Sequence, residues 1–333
     1  MSPIMQAALT IVIGVGGCVG YFYLSNQILD RVLFPARGAN AGRNINRANA
    51  IRPWLFLFPA IFALALYLAY PVFETLRLSL TDRSLGGAFV GLENYARMTD
   101  DPKFWEALRN NFLWLLIVPA ASTAFGLLAA QLTDRIRWGN IAKSLIFMPM
   151  AISFVGAAVI FKLVYDARPE DVAQIGILNA VYLQLCGDSP ITWLTEPFWN
   201  NIFLIIVLIW IQTGFAMVIL SAALRGIPEE TIEAAIVDGA NPFQIFFKIK
   251  VPQIAGTIVV VWTTITIVVL KVFDIVFAMT NGQWETQVLA NYMYDKLFRA
   301  NDWGVGSAAA MVIMILVLPI LVWNVYNARR EMR

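Results

Sequence analysis

Residues 226–252 read GIPEETIEAAIVDGANPFQIFFKIKVP, a polar segment that separates two strongly apolar ones, Ile202–Leu224 and Ile254–Phe273. The local chemistry of this segment predicts a helical hairpin. Pro228 suits a first helical position, which needs no N–H partner, and Gly239 can end that helix with a left-handed residue. A hairpin of this kind between two membrane spans is either a stable loop or a docking surface for another protein.

The second helix of the hairpin carries its own start and stop signals. Asn241 can cap it, Pro242 suits its first position, and Gln244, three residues after the cap, completes a capping box. A proline interrupts the hydrogen bonds of a helix, so we expect this helix to stop before Pro252. The sequence therefore predicts two short helices joined by a tight turn.

The first hairpin helix combines negative charge with a patch of small residues. Glu229, Glu230 and Glu233 lie in its first turns, where the positive end of the helix dipole favours acidic side chains. Ala234 and Ala235 follow, and they leave a smooth patch that another surface can approach closely. Both features suit a docking surface, although a stable loop would also accommodate them.

The same residues resemble a known motif. Glu233-Ala234-Ala235, then Gly239, then Ile249-x-Val251-Pro252 resemble the EAA motif of the permease subunits of binding-protein-dependent ABC importers. The family form ends in Leu-Pro, and Val251 departs from it. The flanking Gly226-Ile227-Pro228 and Asp238-Gly239-Ala240 are similar to the carbohydrate-uptake branch, as in the first membrane subunit of maltose and glycerol-phosphate transporters.

The resemblance implies both a fold and a mode of coupling. The fold would be a MetI-like transmembrane type-1 domain, and the first hairpin helix would lie in a cleft of an ATPase subunit. Glu233 would make a charge-assisted contact there, and Gly239 would form the turn. The residues that the resemblance assigns to coupling are Glu233, Ala234, Ala235, Asp238, Gly239, Phe243 and Pro252.

Composition independently favours a membrane protein without catalytic chemistry. Of 333 residues, 59% are hydrophobic and 14% are charged, whereas soluble domains carry about 25% charged residues. The net charge of +2 gives no reason to expect nucleic-acid binding. The chain has no histidine and no Gly-Lys pair, which excludes the common catalytic triads, most zinc sites and a phosphate-binding loop. We therefore expect no metal, no cofactor and no enzyme activity on this chain.

Seven segments are long and apolar enough to cross a bilayer, which takes about 20 residues. They are Ile4–Leu24, Trp54–Phe73, Phe112–Leu132, Ile141–Tyr165, Ile202–Leu224, Ile254–Phe273 and Ser307–Tyr326. We predict an all-α polytopic membrane protein with seven transmembrane helices, in which a six-helix ABC type-1 permease core follows one extra N-terminal helix. Pro119 and Pro149 lie inside two of the spans and are expected to kink them.

The spans also predict domain limits and orientation. Residues 1–52 comprise the extra helix and an Arg- and Asn-rich linker, residues 53–107 the first core helix and a loop, and residues 108–327 the type-1 domain. With the N-terminus outside, the inside segments hold roughly twice as many lysines and arginines as the outside segments, which is the usual bias. The bias therefore predicts a cytoplasmic hairpin, a cytoplasmic C-terminus and an N-terminus on the outside. The resemblance implies that the membrane is a bacterial inner membrane and that the outside is the periplasm.

Two of the expected outside segments, Leu80–Asn111 and Asp166–Asn201, contain polar loops. In the second of them, an apolar series is spaced for a short amphipathic helix at the membrane interface, namely Ile175, Leu178, Val181, Tyr182 and Leu185. That helix either caps the bundle or contacts a soluble binding protein. Cys186 lies in the same loop and Cys18 in an apolar run, so we expect no disulfide.

The resemblance implies an importer subunit whose energy comes from other chains. Its partners would be two ATPase subunits that hold ATP and Mg²⁺, a second homologous permease, a periplasmic or lipid-anchored solute-binding protein, and membrane lipid. The substrate would be a sugar of the oligosaccharide or glucoside type, with glycerol phosphate as the alternative.

From the residues alone, an ion-coupled secondary transporter and a scaffold that moves no solute both stay open. A secondary transporter usually carries intramembrane acids for ion coupling. Asp274 is the main candidate for such an acid, and it lies three residues after Lys271, with which it could pair. One carboxylate at the edge of a span is weak support for ion coupling, so the ATP-driven importer is the preferred interpretation.

Family positions also imply where a sugar would pass. The substrate-path candidates are Trp210, Ile211, Gln212, Thr213 and Phe215 in the fifth span and Val268, Val269 and Val272 in the sixth. Aromatic rings and an amide suit a sugar, which offers an apolar face and hydroxyl groups, but ordinary helix packing explains the fifth span equally well. Maltose-type subunits carry polar residues at the sixth-span positions. Either the partner permease supplies those contacts here, or this chain only shapes the cavity.

Overall fold

The structure of the chain is a computed structural model that describes residues 2–37, 40–82, 86–134, 136–185, 187 and 189–331. Within this part of the chain, helices dominate, and one short antiparallel pair joins β1 (Thr81–Asp82) to β2 (Ala88–Phe89). The chain divides into two compact units, Met1–Glu74 and Thr75–Arg333.

The first unit contains two long apolar helices. α1 (Pro3–Ile28) continues as a π-helical turn, Leu29–Leu33, and α2 (Ala41–Leu64) as another, Ala65–Ala69, before α3 (Tyr70–Ser79). The Tyr21 hydroxyl donates to the Leu55 carbonyl at 2.9 Å, and the rings of Phe22 and Phe56 stack. These contacts join α1 to α2. α2 begins inside the Arg- and Asn-rich linker, where alanine and arginine favour helix.

The second unit contains the remaining helices. They are α4 (Glu93–Thr99), α5 (Pro102–Thr133), α6 (Gly139–Phe147), α7 (Phe154–Val164), α8 (Ile177–Leu185), α9 (Trp199–Arg225), α10 (Glu229–Val237), α11 (Pro242–Gln244), α12 (Val251–Gln253), α13 (Ala255–Leu270), α14 (Asp274–Met279), α15 (Leu289–Tyr294) and α16 (Trp303–Glu331). A 3-10 turn, Met148–Ala151, lies between α6 and α7, and π-helical turns occupy Ile245–Lys250 and Asp295–Arg299.

Among the described residues, five helical segments are long and apolar enough to cross a membrane, and two bent helix pairs bring the number to seven. The continuous segments are Pro3–Leu33, Ala41–Ser79, Pro102–Thr133, Trp199–Arg225 and Trp303–Trp323, and the bent pairs are α6 with α7 and the helix Pro242–Gln253 with α13. Each of the seven overlaps one predicted span. The prediction of an all-α polytopic membrane protein is therefore confirmed.

The fourth predicted span is broken rather than continuous. Its two helices meet at 103° across the 3-10 turn that contains Pro149. Ser153 starts the second helix by accepting a hydrogen bond from the Gly156 N–H at 3.0 Å. The kink expected at Pro149 is therefore present and larger than a simple bend, whereas Pro119 lies inside α5, which runs without a break from Pro102 to Thr133.

α5 begins ten residues earlier than the predicted span that starts at Phe112. Asp101 caps it by accepting from the Lys103 N–H at 2.9 Å, and Pro102 occupies the first position. A strong cap lets the helix extend beyond its apolar stretch. The segment predicted as a loop before the type-1 domain is therefore partly the first turns of α5.

The core of the second unit forms where α5 meets α9. A Cβ added at Gly126 of α5 would lie 2.4 Å from the Cβ of Ala216 and 2.8 Å from the backbone N of Met217. Gly214 on another side of α9 similarly lies against the Ile146 carbonyl. Small residues of this kind let membrane helices approach closely, and at Gly126 only the Ala216 methyl group lies between the two backbones.

Buried amides hold the loop between α14 and α15. The Asn110 amide of α5 donates to the carbonyls of Glu285 and Gln287, at 2.8 Å each, and the Asn201 amide of α9 donates to Glu285 at 3.1 Å. Trp284 and Glu285 adopt positive φ angles of 54° and 61°, a conformation that non-glycine residues adopt only with compensation. The loop between α14 and α15 is thereby fixed on α5 and α9.

The predicted amphipathic helix is present as α8. Ile177, Val181 and Leu185 are exposed along it, while Leu178 packs against the core. The buried Asn179 amide donates to the carbonyls of Asp166 and Ile191 at 3.0 Å each, which fixes α8 on the loop around it. Cys18 is exposed, and Cys186 lies outside the described residues.

The contact at Gly126 makes a testable prediction. Gly126→Ala places a methyl group where the α9 backbone lies, and overpacking of this kind lowers the free energy of unfolding by roughly 1–3 kcal/mol. Gly16→Ala is the matched control, because a Cβ at Gly16 meets no atom within 4 Å. Thermal unfolding in detergent should shift downward by several degrees for the first variant only. Equal transitions for both would contradict the close approach of α5 and α9.

A second prediction concerns pH. Lys296 lies 2.7 Å from the Asp101 carboxylate, and the Tyr292 hydroxyl donates to it at 3.0 Å. Burial raises the pKa of Asp101, but the hydrogen bonds from Lys296, from the Lys103 N–H and from Tyr292, together with the charge of Lys296, outweigh it, so this pKa lies below its ordinary value. The stabilisation is complete above the ordinary pKa of about 3.9 and is lost as the pH falls through the lowered one.

Asp101→Asn should therefore lower stability at pH 7 by about 1–2 kcal/mol, the contribution of a charged hydrogen bond. The difference from the parent protein should shrink as the pH falls from about 4 towards 3. Asp100→Asn serves as the control, since Asp100 is exposed and forms no ion pair within the described residues. If the melting temperatures of Asp101→Asn and the parent protein differ by the same amount across this pH range, the lowered pKa of Asp101 is contradicted.

Candidate functional site

The hairpin between α9 and α13 ends its first helix as the sequence predicts. Gly239 has a φ of +81°, its N–H donates to the Ile236 carbonyl at 3.0 Å, and the Ala240 N–H donates to the Ala235 carbonyl at 2.9 Å. This pair of bonds is the Schellman motif, which requires a left-handed residue that glycine supplies at least cost. The turn is therefore a defined structure.

The start of the second hairpin helix is also confirmed. The Asn241 side chain accepts from the Gln244 N–H, and the Gln244 side chain accepts from the Asn241 N–H, both at 2.9 Å. Pro228, in contrast, lies one residue before the first helix and acts as its N-cap residue instead of its first helical residue. The end of the first helix and the start of the second thus satisfy free backbone groups of helix termini.

The expectation that the second helix stops before Pro252 is wrong. The helix continues through the π-helical turn Ile245–Lys250 and ends at Gln253. Within that turn the Val251 N–H bonds to the Phe246 carbonyl, five residues earlier. The wider turn shifts the hydrogen-bond register just before the proline, which lets a residue without an N–H enter the helix. The helix then meets α13 at 70°.

The hairpin exposes large apolar side chains around its turn. We call Ile236, Val237, Phe243 and Phe247 the hairpin tip residues; their exposed fractions range from 59% to 86%. Glu233 and Asp238 are exposed beside them, so the surface is both acidic and apolar. Exposed apolar residues grouped on a short, well-capped element mark a protein interaction site.

Six of the seven coupling candidates from the sequence are exposed, namely Glu233, Ala234, Asp238, Gly239, Phe243 and Pro252. Ala235 differs, because it is buried against the chain itself with 7% of its surface exposed. Ala234 and Ala235 therefore do not form the shared smooth patch expected from the sequence. Of the two alanines, only Ala234 is exposed.

The substrate-path candidates of α9 differ in their bonding. Ile211 and Gln212 are buried, and the Gln212 side-chain amide makes no hydrogen bond with any described residue. Thr213 donates to the Ile209 carbonyl at 2.7 Å, and Trp210 meets the Phe161 ring edge-on, with the ring centres 5.2 Å apart. Phe215 is half-buried. The amide atoms of Gln212 are not fully enclosed, so the amide can form hydrogen bonds with water or with a ligand.

Of the three substrate-path candidates in or just after α13, two line a cavity of about 270 Å³ and the third does not. Val268 and Val272 form part of its wall, and Val269 is buried in the core. The other residues around this cavity are Phe154, Leu208, Lys271, Phe273, Asp274 and Ile275. Lys271 and Asp274 form no ion pair with each other within the described residues, so the predicted pair is absent. Their charges instead line a mostly apolar cavity.

A family model described as the binding-protein-dependent transport system inner membrane component matches residues 122–332. This range contains α9, the hairpin and α13, and therefore every candidate residue above. The chain belongs to this family. It is thus a multi-pass component of the inner membrane, and the resemblance to ABC importer permeases that its hairpin residues carry is confirmed.

Several known proteins are similar to this chain over most of its length. The alpha-glucoside transport system permease protein of Rhizobium meliloti is 64% identical, over 99% of this chain and 99% of its own. The osmoprotective compounds uptake permease protein of Synechocystis sp. is 48% identical, over 84% of this chain and 100% of its own. A solved bacterial ABC transporter involved in the import of the acidic polysaccharide alginate is similar in fold, with a TM-score of 0.73 at 20% identity over 87% of this chain and 99% of that chain.

Three features of this inner-membrane component were missed from the sequence. The tip residues Ile236 and Val237 were not singled out, although apolar side chains beside a glycine turn in a polar segment were a usable signal. Because Lys271 was expected to pair with Asp274, its position in the wall of the cavity was not predicted. The third feature is a cluster of polar side chains at the carboxyl end of α5, formed by Asp134, Lys143 and Ser221. Its contacts join residues that are far apart in the sequence, so no local pattern indicates it.

Proposed function

We propose that this chain is one permease subunit of a binding-protein-dependent importer for a sugar of the oligosaccharide or glucoside type. Separate ATPase subunits bind its hairpin and supply the energy. The exposed tip residues of the hairpin carry this proposal, because a capped polar element between two spans has no other need for four large exposed apolar side chains. The alpha-glucoside permease at 64% identity supports the substrate class.

The hairpin faces the cytoplasm in this proposal, with the N-terminus in the periplasm and the C-terminus in the cytoplasm. The lysine and arginine bias between the two sets of connecting segments supports this orientation. ATP is available on that side, so an ATPase must meet the permease there. The opposite end of the bundle, with α8 and the loop between α14 and α15, then faces the solute-binding protein.

The remaining partners follow from what this chain lacks. It has no phosphate-binding loop, so two ATPase subunits with ATP and Mg²⁺ hydrolyse the nucleotide. A second homologous permease completes the translocation path. ATP binding draws the ATPases together, the hairpins follow, and the bundle changes between outward and inward access. ATP and sugar each stabilise one state through contacts that differ between the two states.

The sugar passes between α9 and α13 in this proposal. The unpartnered Gln212 amide offers hydrogen bonds to hydroxyl groups, and the half-buried Phe215 and Trp210 rings offer apolar surface to the sugar faces. Lys271 and Asp274 add polar contacts in the cavity beside Val268 and Val272. This chain therefore contributes polar contacts of its own, even though its sixth-span positions are valines.

Phe243→Glu tests the docking of the ATPase. A charge at an exposed aromatic anchor should weaken ATPase binding by roughly 30-fold, the equivalent of about 2 kcal/mol for a hot-spot residue. Phe89→Glu is the control, because Phe89 is 75% exposed against 77% for Phe243 but lies on β2, away from the hairpin. Co-purification of the ATPase and uptake should both fall for Phe243→Glu alone. Undiminished ATPase binding by this variant would contradict the proposal.

Gln212→Leu tests the sugar path. Loss of the amide should reduce glucoside uptake about tenfold, which corresponds to about 1.4 kcal/mol for one hydrogen bond to the substrate. Thr213→Val is the control, since the Thr213 hydroxyl already bonds to its own helix, and it should change uptake less than about threefold. ATPase binding should be normal in both. Equal uptake by the two variants would assign Gln212 to helix packing.

A further inference from the structure

We infer that the carboxyl end of α5 holds both ends of the hairpin, and that Lys250 and Asp134 are the positioning residues through which hairpin movement enters the bundle. This inference rests on the proposed docking of an ATPase at the hairpin. It assigns a task to side chains that contact neither the ATPase nor the sugar in that proposal. Its basis is a group of polar contacts that converge on one face of one helix end.

The first end of the hairpin is held at Asp134, the residue that follows α5. Lys143 of α6 pairs with this carboxylate, and Arg225, the last residue of α9, lies 3.9 Å from it. Ser221 of α9 donates to Asp134 at 3.1 Å and accepts from Lys143 at 2.7 Å. The hairpin begins immediately after Arg225. Asp134 therefore connects α5, α6 and the start of the hairpin.

The position of Asp134 is unfavourable by itself. A carboxylate at the carboxyl end of a helix is opposed by the helix dipole, which favours cations there. Asp134 and Lys143 are also largely withdrawn from solvent, with 21% and 15% of their side chains exposed. Burial makes their mutual attraction stronger than that of a surface pair, and it makes the loss of either partner costly. The cluster consequently keeps its members together.

The second end of the hairpin is held one turn earlier on α5. Lys250, the last residue of the π-helical turn, donates to the Gln131 side chain at 3.2 Å, and it is buried with 8% of its surface exposed. Lysine is almost never buried unless its ammonium group has partners. Gln131 and Asp134 are three residues apart and lie on the same face of the helix end. The end of α9, from which the hairpin begins, and the last turn of the hairpin thus contact one surface of α5.

This arrangement decides which helix moves with the hairpin. The hairpin joins α9 through Gly226 and joins α13 through a 70° bend, and a connection of either kind could flex. The contact of Lys250 with Gln131 ties the last turn of the hairpin to α5, and Asp134 ties the end of α9 to α5. At Gly126, well inside the bundle, α5 packs on the backbone of α9 with only the Ala216 methyl group between them. A displaced hairpin therefore carries α5, and α5 displaces α9, the helix that bears Gln212.

The test compares three lysine variants in the assembled importer. Lys250→Met removes the hydrogen bond to Gln131 and retains the length of the side chain. Lys250→Arg retains a donor. Lys248→Met is the matched control, because Lys248 lies two residues earlier on the same helix and is exposed. Uptake of the glucoside and ATP hydrolysis are measured on the same proteoliposomes, after the amount of bound ATPase has been determined.

We expect Lys250→Met to bind the ATPase and hydrolyse ATP, but to transport at least about fivefold less sugar for each ATP hydrolysed. Lys250→Arg should recover most of this ratio, and Lys248→Met should match the parent protein. Gln131→Met should reproduce the defect, and the double variant should lose less than the sum of the two single losses, as expected for two groups in direct contact. A residue with a merely structural task would lower uptake and hydrolysis together.

Each other outcome contradicts one proposal and not both. An unchanged ratio of sugar to ATP in Lys250→Met, with the ATPase bound, would overturn the inference and leave the docking proposal intact. A parent protein that binds no ATPase would overturn the docking proposal itself. If Lys250→Met fails to reach the membrane, Gln131→Met decides in its place, since it removes the acceptor and leaves the lysine in the chain; an unchanged ratio there would also overturn the inference.

Discussion

A lipid bilayer leaves backbone N–H and C=O groups no water to bond with, so a chain that crosses it must satisfy them within helices. This constraint explains why the described chain is helical almost throughout and why its spans are apolar on most sides. It also gives meaning to the hairpin of residues 226–252. There the chain leaves the apolar spans, and it keeps its backbone satisfied with a Schellman motif at Gly239 and a capping box at Asn241. A polar element whose turn is fixed on both sides by capping bonds is built to hold a shape.

A firm hairpin can transmit force only if it is attached to the bundle. The chain supplies two kinds of attachment. Covalent connections lead to α9 and α13, the helices with the candidate sugar contacts, while the polar contact of Lys250 leads to α5 and the contacts of Asp134 join α5 to the end of α9. The close packing of α5 on α9 at Gly126, with only the Ala216 methyl group between their backbones, then makes these helices respond together. Polar contacts at the hairpin and close apolar packing inside the bundle are therefore consecutive parts of one connection.

Features that depend on residues close together in the sequence were predicted, whereas features that depend on contacts between distant residues were not. The turn at Gly239 and the cap at Asn241 were predictable because φ preference and capping bonds involve residues at most a few positions apart. The seven spans followed from hydropathy. Pro252 was misjudged because the π-helical turn that accommodates it has no strong sequence signature. The burial of Ala235 and the contact between Lys250 and Gln131 depend on how helices pack, and Gln131 lies 119 positions away from Lys250. Spacing rules do not reach that far.

The central claim is that energy from a separate ATPase enters this chain at the hairpin on the cytoplasmic side. Its most direct test is the accessibility of Val237→Cys, at the most exposed of the tip residues, in a chain that carries Cys18→Ser and Cys186→Ser. A thiol reagent that cannot cross membranes would be applied to right-side-out and inside-out vesicles, with and without the ATPase subunits. The account predicts labelling only in inside-out vesicles and protection when the ATPase is bound. Labelling from the periplasmic side, or equal labelling with and without the ATPase, would contradict it.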